Sequence, residues 1–136
     1  MSGCILHAYG KSFDVDGFLA ASKLDPYEVY RAGDSRIGST RNRRKKSNVS
    51  GLKILVSEKE SLADQVSDAV GFLKRNDAEL KKLSRHKGVE ALVMDVSVVT
   101  TDEKAAECYR FPVELLELLS ALRIHLELSR YAGSDE

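Results

Sequence analysis

Six cations fall between positions 36 and 46 of this chain: Arg36, Arg41, Arg43, Arg44, Lys45 and Lys46. No Asp or Glu occurs from Ser35 through Ser57 to offset them. Such a run can neutralise phosphates, and a segment of this kind often orders only on meeting nucleic acid or an acidic partner. The plain alternative is a solvated connector kept in water by mutual repulsion. No aromatic side chain is interleaved for base stacking, and no recognition-helix pattern accompanies the run. Repulsion without an apolar anchor predicts mobility over 39–48, within a basic loop at about 36–48.

A second set of residues sits on segments that alternate in polarity. With Cys4, Leu6 and Ala8 inward on a first strand, His7 and Tyr9 point outward. Asp95, Ser97, His125 and Glu127 take the outward positions of two later strands, so the face would carry two imidazoles and two carboxylates. These groups could hold a divalent metal or exchange protons near neutral pH. They come from separate segments, so spacing does not make them converge, and a wet sheet face needs polar residues for solvation alone.

Other chemistry lacks its usual signature. The chain has no G-x-x-x-x-G-K-[ST], G-x-G-x-x-G after a strand, H-E-x-x-H or G-x-S-x-G. Cys4 and Cys108 lie far apart and outside any C-x-x-C pattern, which favours reduced thiols over a zinc or redox pair. Cys108, beside Tyr109 and Arg110, reads more simply as a half-buried cysteine than as an activated thiol. Ser84 through Lys87 is a helix C-terminus, where cations are favoured. No bound metal and no cofactor is expected.

The elements that must position these residues are legible from period and punctuation. The 136 residues are 43% hydrophobic and 31% charged, within the range of one folded domain, here taken as 1–136. Lys and Arg number 21, as do Asp and Glu, so any electrostatic recognition must be local. No secretory signal pattern and no long apolar run is present, from which a cytoplasmic protein is expected. Strands are predicted at 3–9, 51–57, 89–99 and 123–130, with 27–31 either a short strand or a turn. Helices are predicted over about 14–22, 61–74, 76–87 and 112–121. Asp14 and Ser61 serve as caps, Pro112 as a first helical residue, and Leu115, Leu116, Leu119 and Leu122 face inward. The tail from 132 to 136 should fray. One apolar stripe per helix and one polar face per strand imply helices on one side of a sheet. The predicted class is α+β: a two-layer sandwich with a mixed or antiparallel four- to five-stranded sheet and a ferredoxin-like flavour.

The order of pieces is also familiar. A strand ends in glycine, a short helix follows, then DPYEVYRAGDSR, a basic turn, GLKILVS, a long helix, and LKKL before GVEALVMDVSV. This order resembles the bacterial family called domain of unknown function 4279. The resemblance implies a small stand-alone bacterial α/β domain with no assigned activity and no catalytic residues to carry over, and some small proteins of this kind are suspected immunity proteins. The expectation is therefore a non-enzymatic cytoplasmic interaction module of the toxin-neutralising immunity type, whose partner is another protein and not a membrane. One alternative is a nucleic-acid-binding accessory domain using residues 36–46. The other is a small metal-dependent or small-molecule enzyme using the open face.

Overall fold

The computed structural model describes residues 2–34, 48–100 and 107–133. The elements run β1 (Gly3–Gly10), α1 (Val15–Ala20), β2 (Glu28–Tyr30), β3 (Ser50–Ser57), α2 (Leu62–Arg75), α3 (Asp77–Arg85), β4 (Ala91–Thr100), α4 (Val113–Ala121) and β5 (Ile124–Ala132). The strands form one five-stranded mixed sheet in the order β2-β3-β1-β4-β5. β1 pairs antiparallel with β3 and β4, β2 pairs antiparallel with β3, and β5 lies parallel to β4. The first four strands thus have the connectivity and order of the ferredoxin-like split βαβ. A crossover through α4 adds the fifth, because parallel neighbours need a long connection.

Alternation decides which way each strand faces. Cys4, Leu6 and Ala8 of β1, Leu52 and Ile54 of β3, and Leu92, Met94 and Val96 of β4 all turn into one core. The helices supply its other half through Val66, Ala69, Phe72, Leu73, Leu80, Leu83, Leu115 and Leu119. Local signals set the helix ends. Asp14 accepts the Gly17 N–H at 3.1 Å, and Ser61 accepts the Asp64 N–H at 3.1 Å. Glu79 on α3 accepts from the Ser22 hydroxyl and the Lys23 N–H, fastening the end of α1 to the helix layer. His86 closes the same corner, its ring edge-on to Phe13 and Phe18 at 5.9 and 5.5 Å between centroids.

Two expectations about α4 need correction. Pro112 is the N-cap and not the first helical residue. Leu116 does not face the core but stays 44% exposed, because Leu115, Leu119 and Leu122 already occupy the buried stripe and the adjacent position lies about 100° around the helix. Past the end of α4, Arg123 has φ 59°, and its N–H bonds back to the Ser120 carbonyl at 3.0 Å. Glycine usually fills such a left-handed stop, since a Cβ crowds the backbone there. Arg123→Gly is expected to raise stability by about 0.5–1 kcal/mol, the strain relieved outweighing the extra freedom of the unfolded chain. A higher urea midpoint at unchanged slope is the sign; a lower midpoint would mean that the Arg123 side chain contributes more than its backbone costs.

Candidate functional site

The helices cover only one side of the sheet, and register lays out the residues of the other in rows. Glu28, Lys53, His7, Val93 and His125 form one row across all five strands. On one side of it lie Tyr30, Gly51, Tyr9 and Ala91; on the other lie Leu55, Ile5, Asp95 and Glu127. Beyond these follow Ser97 beside Ser129, then Val99 beside Tyr131.

The upper part of the face is an aromatic and imidazole cluster. His7 Nε2 and Tyr30 Oη are hydrogen-bonded at 2.5 Å, and the Tyr9 ring centroid lies 5.0 Å from that of His7. Tyr30 can cross to His7 because Gly51 between them has no side chain: a Cβ at Gly51 would collide with the Tyr30 hydroxyl. Lys53 Nζ is 3.5 Å from Glu28 Oε2. On the other flank the Ser129 hydroxyl donates to Asp95 Oδ1 at 2.9 Å. A shallow hollow of about 330 Å³ joins the two flanks, lined by His7, Tyr9, Lys53, Asp95 and Glu127 with Ile5 and Val93 at its base.

Four of the six outward residues expected from sequence, His7, Tyr9, Asp95 and Glu127, meet at one hollow, and Ser97 lies outside it. So does His125. Val93 stands between it and His7 in the register, two strand spacings or roughly 9–10 Å along the sheet. Two imidazoles on one zinc would each need a nitrogen about 2 Å from the ion. His125 instead lines a separate hollow of about 550 Å³ at the end of the sheet, with Ser84, Glu90 and Arg123. Among the described residues, no group of three or more His, Cys, Asp or Glu side chains is placed to hold a metal.

The lower part of the face mixes exposed apolar side chains with polar ones. Leu55, Val99 and Tyr131 are 46%, 49% and 49% exposed. Leu55 and Tyr131, with Ile5, border a hollow of about 590 Å³ whose polar lining includes Asp95 and Ser97. Sequence reasoning passed over these residues, although Lys53 and Leu55 hold the outward positions of an alternating strand. Tyr30 carried no such signal, since a three-residue strand is too short to show a period.

Beneath the sheet, Cys4 is no nucleophile. Burial, reinforced by the charges of Asp95 and Asp68, pushes its thiol up to about 12, and its S–H meets Met94 Sδ at 3.3 Å. Cys108 is exposed, outside any helix or strand. Arg36, Arg41, Arg43, Arg44, Lys45 and Lys46 lie outside the described residues, as do positions 134–136 of the expected frayed tail. Among the described residues, no helix is long and apolar enough to cross a membrane.

No curated protein and no solved structure matches the chain. The family described as a domain of unknown function (DUF4279) matches residues 1–133, nearly the whole of the sequence, and on that match the chain belongs to this family.

Proposed function

We propose that this chain is a non-enzymatic protein-interaction module of the bacterial cytoplasm, of the toxin-neutralising immunity type, which meets its partner protein with the open sheet face. The observation that carries the reading is the composition of that face. Leu55, Val99 and Tyr131 present exposed apolar surface on a sheet face that no helix of the described residues covers, and Lys53, Asp95 and Glu127 add charge to it. An apolar centre with a polar rim is how protein interfaces are built, and aromatic residues such as Tyr131 carry a disproportionate share of their energy. Exposed apolar side chains clustered on one face call for a partner more than the same residues scattered singly.

The test is competitive. The partner captured by the tagged chain is purified and titrated against the wild type, Leu55→Glu with Tyr131→Ser, and a variant with Arg41, Arg43, Arg44, Lys45 and Lys46 all changed to Ser. The face variant is expected to bind at least tenfold more weakly, on the order of 1.4 kcal/mol or more, with a thermal midpoint close to the wild type because both residues are exposed. RNA and duplex DNA are titrated at two salt concentrations alongside. Nucleic-acid affinity that falls steeply with salt and vanishes in the Ser variant, with the face variant unaffected, would replace this reading with the nucleic-acid one.

A further inference from the structure

We propose that the free edge of β5 is a self-association site at which a second copy of this chain pairs antiparallel, extending the sheet across a two-fold axis through Leu126. The two edges of the sheet differ. One edge, β2, is three residues long, short enough to offer little to an incoming strand. The other, β5, runs nine residues, contains neither proline nor lysine, and holds its register with β4 without a shift from Ile124 to Ala132. Among the described residues its only strand neighbour is β4. Long edges of this kind are templates for another strand unless they are blunted by bulges, proline or charge; β5 has neither bulge nor proline, and a partner must match its charges Glu127 and Arg130.

The side chains of β5 indicate what fits there. On the helix side Ile124 is buried, whereas Leu126 and Leu128, which continue the same row, are only partly covered. On the open side His125 and Glu127 are both exposed. Antiparallel pairing about an axis normal to the sheet keeps each residue opposite one from the same face, with facing Cα atoms about 4.5–5.5 Å apart. Centred on Leu126, that geometry sets His125 of each copy against Glu127 of the other, twice over. It also sets Ile124 against Leu128, with Leu126 against itself on the axis, so that strand faces strand over Ile124–Leu128. The partly covered leucines are then closed over, and each carboxylate faces an imidazole, which carries an N–H in either protonation state. The registers on the C-terminal side of this one do worse. An axis through Glu127 opposes two carboxylates, and one through Leu128 sets Arg130 against Leu126. Self-complementarity in a single register is what an isologous dimer requires.

The oligomeric state of the full chain, followed by sedimentation from micromolar to near-millimolar concentration, tests this. The wild type is expected to dimerise. His125→Glu puts two like-charged pairs across the axis and is expected to weaken association at least about tenfold, while the further change Glu127→Lys restores opposite charges and recovers it. Both residues are exposed, so the thermal midpoint of the monomer should hold. In a Cys108→Ser background, Leu126→Cys is expected to give an intermolecular disulfide under mild oxidation, since the axial Cα separation suits one. A wild type that remains monomeric throughout, a dimer indifferent to His125→Glu, or a charge swap that fails to restore association would each overturn the proposal.

Discussion

Gly88→Ala is expected to destabilise the protein by about 3 kcal/mol or more, one of the largest effects a single methyl group can have in this fold. Two costs combine at Gly88. Its φ of +88° is a conformation that side chains rarely adopt, with a penalty of about 1–2 kcal/mol. In addition, a Cβ there would collide with the Ser12 carbonyl oxygen and stand 2.6 Å from the Phe13 nitrogen. Both obstacles are backbone, so no rotamer change relieves them. The contact exists because the turn between α3 and β4 lies directly against the turn after β1, where the Glu90 N–H donates to the Tyr9 carbonyl at 2.9 Å. Gly10 faces the same approach from the other side: a Cβ on it would collide with the Gly88 carbonyl. Gly33 is the control. Its φ is +97° but none of the described residues lies within 4 Å of its Cβ position, so Gly33→Ala incurs strain alone, about 1 kcal/mol. Urea unfolding of the three alanine variants separates the terms. Equal losses at Gly88 and Gly33 would show that the two turns can move apart without penalty.

The same pair of turns shows where sequence reasoning stops. Gly10 was legible as the end of a strand, which it is; Gly88 read as a helix stop, whereas α3 ends at Arg85 and Gly88 lies in the turn that follows. Nothing in the spacing of a chain says that two punctuation glycines 78 positions apart touch. Alternation on β1, β4 and β5 was equally legible, because burial of one sheet face writes a two-residue period that no local preference disturbs. It showed which residues face outward without their neighbours, since those follow from the strand order. His7 and His125 look equivalent in sequence, yet β1 is central and β5 is at the edge, and Val93 separates them. Leu116 misled for a different reason. A helix with leucine at 115, 116, 118, 119 and 122 offers more than one apolar stripe, and the choice between them belongs to the packing of α4 on α2 and β5.

Gln65→Leu is expected to cost about 3 kcal/mol, although it replaces a polar residue by an apolar one of similar volume in a fully buried position. On α2 Gln65 falls within the stripe that Leu62, Val66, Ala69 and Leu73 define, the one polar group among them. Its amide behaves like a piece of strand. Nε2 donates to the Ser97 carbonyl at 2.7 Å and to the Lys59 carbonyl at 3.1 Å, and Oε1 accepts the Ser97 N–H at 3.2 Å. It thereby satisfies both backbone groups of one β4 residue and holds the loop that leads into α2. Leucine fills the space but leaves those groups without that partner, and each buried polar group so stranded costs about 1–3 kcal/mol. Gln65→Glu retains the acceptor, yet it turns a carboxylate towards two carbonyl oxygens and should be at least as damaging. Ser61→Ala, which removes only the cap of the same helix, provides the scale at about 1 kcal/mol. If Gln65→Leu proves no worse than Ser61→Ala in urea unfolding, solvent or a backbone shift replaces the lost bonds, and the amide is not what fixes α2 to the sheet. If it is clearly worse, a single side chain sets the seating of the longest helix on β4, and through it the position of Ser97 and Asp95 at the open face.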